Sequence, residues 1–422
     1  MKEELIQYFW RTHKFKTDKL FTTQGNTLEI IDPGKLNHDS GPDFSMARIK
    51  IDGQLWIGNI EIHINASDWY QHKHQYDPAY QSIILHVVWE EDLKIHYPSN
   101  QAIPCIELKD IIQKSLLDNY ERLMNNSAWI PCEFQLGNVD MDKLSIGLNA
   151  FLVEKLMKKM HEIEQIFIKT NKDWNKTFHI WFARAFGSNL NATAFEMLAT
   201  NIDFSLIQKL KSQPEILEAI TFATAGLLDG ETSEYAIQLQ NTYNNFIMLE
   251  KPPMLKAGTF KYFRTRPANF PTIRIAQWLE WLKSQEKPLE TILNIDSVKQ
   301  LFEALKLPLE GFWATHFSFN AGTNDQKTSL GKDFAELLMI NAVSPFIFFY
   351  GKMVQQELYQ ERAIDCLDQM NGERNAIISK FKALNFPVKT ASQTQSLLWM
   401  KKHYCEQKRC LECCVGAQIF KA

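Results

Sequence analysis

The chain has 422 residues and a formal net charge of −3, with 45% hydrophobic and 23% charged residues. This is ordinary globular composition, and it excludes a disordered or collagen-like chain. One hydrophobic core seldom serves so long a chain, so we expect two domains. The slightly acidic balance excludes a globally basic nucleic-acid binder, although it leaves room for a local basic groove.

The sequence predicts a soluble, cytoplasmic protein with no membrane partner. Its first residues lack the uninterrupted apolar segment of a signal peptide. The most apolar stretch, residues 337–351, is shorter than the roughly 20 residues that span a bilayer and contains Pro345, so we predict a buried helix there. Four of the seven cysteines lie between Cys405 and Cys414, which suits a reducing compartment better than a disulfide framework.

The first part of the chain has the alternating pattern of strands. The predicted elements are a short helix, a strand, a two-stranded hairpin and a buried strand, at residues 2–12, 27–31, 44–51, 54–64 and 83–89. The pair Asp52-Gly53 is typical of a two-residue hairpin. Residues 68–82 predict a short helix or a long loop. The continuous apolar run of the last strand indicates burial on both faces.

From about residue 141 the hydrophobic period becomes that of helices. Leu144, Leu148, Leu152 and Leu156 fall at steps of four. Further helical patterns follow at residues 176–226, 233–248, 272–285, 289–306, 332–343 and 353–383. We therefore predict an α/β domain over 1–135, an all-α domain over 136–400 and a cysteine-bearing tail over 401–422.

Asp43, Glu61 and His63 form the first candidate site. Glu61 and His63 are two residues apart on a predicted strand, so their side chains point to the same face. Asp43 opens the neighbouring strand of the hairpin. Two carboxylates brought together in this way can share a hard cation such as Mg²⁺ or Mn²⁺.

This pattern resembles that of the PD-(D/E)XK nuclease superfamily, whose core is helix, three strands, helix, strand. Pro42-Asp43 matches the PD element, and Glu61-Ile62-His63 matches E-X-K with His in the lysine place. The resemblance implies a restriction-endonuclease-like mixed sheet flanked by helices. It also implies that Asp43, Glu61 and the Ile62 carbonyl hold the cation and that His63 orients or deprotonates the attacking water. His63 departs from the superfamily pattern because it replaces lysine. An unperturbed histidine titrates near pH 6.5, so its charge near pH 7 is not fixed as that of lysine is.

Over nearly its full length the chain also resembles a bacterial family defined as a domain of unknown function, DUF2851. The resemblance lies in the words GPDF at 41–44, GNIEIH at 58–63, LHVV at 85–88 and RPANFPTIR at 266–274, and in the C-terminal cysteines. It implies no activity.

His72 and His74 admit several interpretations. On a strand or extended loop, such a pair can bind Zn²⁺ through both imidazoles, whereas on a helix the two rings would point about 200° apart. They can instead be supporting or surface residues, or contact a substrate phosphate. His86 lies inside an apolar strand and is predicted to be a core histidine.

Arg264, Arg266 and Arg274 surround a Pro-rich turn in the helical half, with Phe263 and Phe270 interleaved. Arginine suits bidentate phosphate contact and aromatic rings can stack on bases, so these residues are candidates for substrate binding. The alternative is a helix-connecting turn whose arginines pair with acidic neighbours.

The tail reads Cys405-x4-Cys410-x2-Cys413-Cys414. The first three cysteines have the spacing of plant-type ferredoxins, and thiolates suit either an iron–sulfur cluster or Zn²⁺. The arrangement also resembles that of some PD-(D/E)XK nucleases, in which three C-terminal cysteines and one upstream hold a cluster. We favour Cys132 as the fourth ligand. The open alternatives are Cys105, Cys366, His403 and Cys414, or a set of unliganded thiols.

Together these features predict a metal-dependent, nuclease-like protein that hydrolyses phosphodiester bonds in nucleic acid, with Mg²⁺ or Mn²⁺ at the carboxylates. Two alternatives stay open. One is a non-catalytic nucleic-acid-binding module on the same fold. The other is a zinc-dependent hydrolase of small molecules built on His63, His72 and His74.

Overall fold

The computed structural model describes residues 2–16, 18–37, 39–246, 251–322 and 328–420. The chain divides into two compact units, one formed by Met1–Leu144 with Met400–Ala422 and the other by Ser145–Trp399. Residues 401–420, which we predicted as part of a separate tail, therefore belong to the N-terminal unit.

The N-terminal unit is built on one mixed sheet. Its strands are β1 (Leu20–Phe21), β2 (Thr27–Asp32), β3 (Lys35–Leu36), β4 (Phe44–Ile51), β5 (Gln54–Asn65), β6 (Ile83–Glu90) and β7 (Cys105–Glu107). Its α-helices are α1 (Glu3–Thr12), α2 (Asp68–Gln71), α3 (Lys114–Asn125) and a short C-terminal helix, Cys414–Ile419. The predicted helix and the four predicted strands are confirmed to within a residue at each end.

The strand order is β1-β2-β4-β5-β6-β7, with β3 paired to β4. β2, β4 and β5 are antiparallel neighbours, and the hairpin between β4 and β5 turns at Asp52 and Gly53, which both have positive φ. The pairs β5–β6 and β6–β7 are parallel. The predicted mixed α/β architecture is confirmed at this level.

Burial on the sheet decides where polar groups can stand. The first six residues of β6 are all buried, as the continuous apolar run predicted. Helix α1 buries Leu5, Ile6, Phe9 and Trp10 and lies against β5 and β6. Any polar side chain on the covered part of β5 is thus shielded from bulk water.

The second unit is helical. The first helix begins a few residues before the unit and the last ends one residue after it. The helices are α4 (Met141–Lys169), α5 (Trp174–Phe186), α6 (Ser188–Asn201), α7 (Phe204–Leu210), α8 (Pro214–Thr224), α9 (Glu234–Asn245), α10 (Pro271–Ser284), α11 (Pro288–Leu293), α12 (Val298–Leu305), α13 (Lys332–Leu338), α14 (Ser344–Met353), α15 (Glu357–Asp368), α16 (Ala376–Ala383) and α17 (Ala391–Met400). A short hairpin, β8 (His316–Ser318) and β9 (Ala321–Gly322), interrupts the helices. Residues 247 and 248 of the predicted helical pattern 233–248 lie outside the described residues.

One helical segment, Lys332–Met353, is long and apolar enough to cross a membrane by length and composition. It joins α13 to α14 through one π-helical turn. Within its most apolar window 78% is buried inside the fold. The predicted buried helix at 337–351 is therefore confirmed, and such a helix is weak evidence for a membrane span.

Candidate metal centre and cysteine cluster

Asp43 and Glu61 are held together by reciprocal backbone contacts. The Asp43 N–H donates to Glu61 Oε2 over 3.1 Å, and the Ile62 N–H donates to Asp43 Oδ2 over 3.0 Å. The second Asp43 oxygen accepts from Gln7 Nε2 over 2.9 Å. The β4–β5 pairing thus brings the two predicted carboxyl groups to one place, where the Ile62 side chain is buried and its amide anchors Asp43.

Two imidazoles contact the other side of Glu61, and a third contacts one of them. The Glu61 Oε1 atom lies 3.3 Å from His74 Nε2 and 3.6 Å from His63 Nε2. His63 Nε2 in turn lies 3.2 Å from His72 Nδ1. One ligand atom from each of the three histidines lies within 4.8 Å of the other two.

The approach of His72 and His74 depends on one backbone residue. Helix α2 ends at Gln71, and Lys73 adopts the left-handed conformation with φ 62° and ψ 29°. A helix would separate the two rings, but this reversal turns both toward β5. Sequence analysis left this choice open, because lysine at a left-handed position carries no sequence signal comparable to glycine.

Burial sets the protonation of this group. Desolvation and the nearby Asp43 carboxyl raise the pKa of Glu61 to about 9, and desolvation raises that of Asp43 to about 6. Desolvation and the neighbouring imidazoles lower the pKa of His63 to about 2 and that of His74 to about 4. The imidazoles of His63 and His74 are therefore neutral at pH 7, which is the form that binds metals.

His86 positions His63. In the parallel pairing of β5 and β6, His86 is the register partner of Glu61 and lies on the same face as His63. Its Nε2 atom is 2.8 Å from His63 Nδ1. When His63 Nδ1 carries the ring proton, it donates a hydrogen bond to His86 Nε2. The Nε2 lone pair of His63 then faces His72 and Glu61. The predicted core histidine is thus buried, and it also contacts the candidate site.

The donor set fits a divalent cation. His74 Nε2 is buried and makes no hydrogen bond of acceptable geometry among the described residues, despite its closeness to Glu61. A buried polar atom without a partner is destabilising, and coordination to a cation would satisfy it. Three imidazoles and a carboxylate match Zn²⁺, Mn²⁺ or similar ions better than Mg²⁺.

Several residues that sequence analysis did not predict complete the site. Gln7 and Glu3 lie four residues apart on α1. Gln7 donates the hydrogen bond to Asp43, and the negative charge of Glu3 raises the pKa of both Asp43 and Glu61. Tyr80 stacks on His74 at 3.8 Å between ring centroids, and Trp69 meets the His74 ring edge-on. The sequence does contain a sign of these two α1 residues. They are polar and four apart, so they lie on the same side of a helix whose apolar residues are buried.

Four cysteines converge elsewhere in the same unit. Cys132, Cys405, Cys410 and Cys413 are buried and line one small cavity with Tyr404 and other apolar groups. Burial, together with Cys413, raises the pKa of Cys410 to about 12, and Cys132 and Cys405 are raised by burial and by the other thiols. The upstream candidates Cys105 and Cys366 lie instead in β7 and α15.

The segment that carries these cysteines is docked on its own unit. Lys14 Nζ donates to the Phe420 carbonyl over 2.6 Å, and the Asp140 N–H donates to Gln418 Oε1 over 2.9 Å. A Cβ atom on Gly416 would lie 1.8 Å from the Cys410 carbonyl oxygen, so this close approach requires glycine. The cysteines are therefore held by a specific packing of the segment.

The three predicted arginines lie together in the helical unit and line one cavity. Arg264 and Arg266 are exposed, whereas Arg274 is buried and stacks on Phe334. The expected pairing with acidic neighbours is absent for all three among the described residues.

Comparison with known proteins assigns the chain to one family. The sequence model of one family, described as protein of unknown function (DUF2851), matches residues 3–376. The chain belongs to this family. The match includes the candidate metal centre, Cys132 and the three arginines, and it ends before the cysteines of the tail. No curated protein and no solved structure matches the chain.

Proposed function

We propose that this protein is a metal-dependent hydrolase of phosphodiester bonds in nucleic acid, with its metal at Glu61. The observation that carries the proposal is the convergence on Glu61 of the Asp43 backbone on one side and two imidazoles, His63 and His74, on the other. The Glu61 carboxyl group is buried and is repelled by that of Asp43, and a bound cation would offset both this repulsion and the desolvation penalty.

The topology supports the nuclease class. Helix α1, the antiparallel strands β2, β4 and β5, helix α2 and the parallel strand β6 follow the order of the PD-(D/E)XK core. Asp43 stands at the start of the second of these strands and Glu61 within the third. The likeness rests on element order and on these two positions.

Each residue has a role that follows from its contacts. Glu61, His63, His72 and His74 would hold the cation, while Asp43 takes a position beside them fixed by Ile62 and Gln7. A divalent cation supplies Lewis acidity to the phosphoryl group and to an attacking water. His63 is neutral and contacts two other imidazoles, so we assign it to metal binding and not to the cationic function of a lysine.

The test is cleavage of end-labelled single- and double-stranded DNA and RNA by protein stripped with a chelator and reloaded with Mn²⁺, Zn²⁺ or Mg²⁺. We expect Mn²⁺ or Zn²⁺ to support cleavage and Glu61→Gln to reduce it at least 100-fold. Glu29→Gln, on the exposed part of β2, is the matched control and should leave activity unchanged. Binding of nucleic acid with no cleavage under any metal would make the protein a binding module.

The imidazole-rich donor set also favours a second candidate, a zinc-dependent hydrolase of small molecules. Small phosphodiester and ester substrates in the same reloading experiment separate the two. Turnover of a small ester with Zn²⁺, without any cleavage of nucleic acid, would support this candidate.

We further propose that Cys132, Cys405, Cys410 and Cys413 bind a second metal through their thiolates. The four buried thiols line one cavity, and burial together with the three other thiols raises the pKa of Cys405, so a cation would be needed to hold the group deprotonated. Anaerobic purification followed by metal analysis separates the two chemistries. Iron with visible absorbance indicates a cluster, and stoichiometric zinc without colour indicates a single ion.

A further inference from the structure

A cavity of about 330 Å³ lies in the helical unit at the start of α6. Its walls include Ser188 and Asn191 of this helix and Arg264, Arg266 and Arg274 from the segment that leads into α10. The residues that line it include three arginines and no Asp or Glu in the described part of the chain. The cavity therefore has a concentrated positive charge.

Part of this positive charge, that of Arg274, is buried. Its exposed fraction is 7%, and its Nη1 and Nη2 atoms donate to the neutral side chains of Gln277 and Asn269. Its Nε atom has no hydrogen-bond partner, and no carboxylate pairs with it among the described residues. A buried cation without a counter-ion is strongly destabilising in proteins, so an anion that compensates it is expected.

The start of α6 adds donors to the same cavity. The helix has 14 residues and begins at Ser188, and its N-cap, Gly187, has no side chain to cap the free N–H groups. A Cβ at Gly187 would lie 2.3 Å from the Asn191 carbonyl oxygen, so the position is restricted to glycine. Uncapped N–H groups beside arginines form an anion-binding arrangement.

The arginine-bearing loop is hydrogen-bonded to α6. Asn191 Nδ2 donates to the Lys261 carbonyl over 2.9 Å, and the Lys261 N–H donates to Asn191 Oδ1 over 2.8 Å. This pair ties the loop to α6. Nearby Arg184 offers a contrast, because its guanidinium is paired with Glu196 and Glu162.

From this geometry we propose that the cavity binds the terminal phosphate group of a small molecule. Three arginines without an acidic neighbour match a phosphate dianion better than a single carboxylate. A terminal phosphate presents three free oxygens, which is enough to meet Arg274 and both loop arginines at once. A phosphodiester presents only two and is substituted on both sides, so the backbone of nucleic acid fits the buried Arg274 less well.

The proposal is tested by binding in the absence of divalent metal, which separates it from the hydrolase activity. Inorganic phosphate and a nucleoside 5′-monophosphate are titrated by calorimetry, with the matching nucleoside and an oligonucleotide lacking terminal phosphates as comparison ligands. We expect both phosphate-bearing probes to bind to the wild-type protein. The double variant Arg264→Gln/Arg266→Gln should raise the Kd of each at least tenfold. The control Lys209→Gln/Lys299→Gln removes the same charge from exposed positions and should change nothing.

Arg274→Met provides a second variant for the buried position. Because it removes an uncompensated charge, we expect it to fold with an unchanged or higher Tm without phosphate and to lose the rise in Tm that phosphate produces in the wild-type protein. Glu61→Gln should keep that rise. No binding of either phosphate probe, equal binding by the double arginine variant, or binding of the unphosphorylated oligonucleotide alone would overturn the proposal.

Discussion

The Nδ1 atom of His63 lies 2.8 Å from the Nε2 atom of His86, and both rings are buried in the sheet. His63 Nε2 belongs to the group of ligand atoms around Glu61, whereas His86 contributes none to it. His86 therefore acts on the candidate metal through the orientation and tautomer of His63.

The first prediction concerns this contact. His86→Phe keeps a buried ring but removes the acceptor for His63, so we expect the affinity for Mn²⁺ or Zn²⁺ to fall about 10- to 100-fold. Calorimetric metal titration of the chelator-treated protein measures it. His86→Gln, which retains a side-chain acceptor, should lose less. An unchanged affinity in the phenylalanine variant would remove His86 from the account of the site.

The second prediction concerns the pH dependence of metal binding. The pKa of Glu61 is about 9 and that of Asp43 about 6 without metal, so binding near neutral pH must release at least the Glu61 proton. The apparent affinity should rise between pH 6 and 9, by up to about tenfold per pH unit for each proton released. Titrations in buffers of different ionisation enthalpy count the protons. Glu61→Gln should bind weakly with a flatter profile, and a steep profile in this variant would contradict the assignment.

The third prediction concerns the cysteine cluster. Cys410→Ser removes one proposed ligand, so the protein should lose the thiolate-bound metal and its Tm should fall, because metal binding contributes to folding free energy. Metal analysis and calorimetry of the full chain measure both. Cys366→Ser is the matched control, since Cys366 is also buried but lies in α15. If both variants keep the same metal content, the cluster does not bind it.

The fourth prediction concerns the stability of the helical unit in acid. His179 is buried, its Nε2 atom lies 3.0 Å from the Ile202 carbonyl oxygen, and desolvation lowers its pKa to about 4. Because the unfolded chain binds the proton more readily, this contribution to stability is complete above pH 6.5 and is lost as the pH falls toward 4.

The loss should be at most about 1.4 kcal/mol per pH unit from this residue. Hydrogen exchange of the α5–α6 segment between pH 4.5 and 7.5 measures it, after correction for the intrinsic exchange rate. His179→Phe keeps a ring against Trp278 and should flatten the acid side of the profile. A profile parallel to that of the wild-type protein would show that other groups cause the acid dependence.

Local spacing was sufficient to predict α1, β2, β4, β5 and β6 of the N-terminal unit, but not the two- and three-residue strands β1, β3 and β7 or helix α3. Alternation with period two and the turn pair Asp52-Gly53 predict β4, β5 and their hairpin, and antiparallel pairing then brings Asp43 to Glu61. These inferences succeed because hairpin register depends on residues that are close in the chain. The arrangement of Asp43 and Glu61 was therefore accessible before the structure.

Only the tertiary structure decided what surrounds these residues. His74 reaches Glu61 and His72 reaches His63 because Lys73 adopts a left-handed conformation, and Cys132 meets Cys410 because the last segment packs on its own unit. Arg274 carries an uncompensated charge because helices that are distant in sequence bury it. Sequence by itself determined the elements and the pairing of neighbouring strands. Convergence of distant side chains and loss of water around them depend on the path of loops and on packing, which local periodicity does not encode.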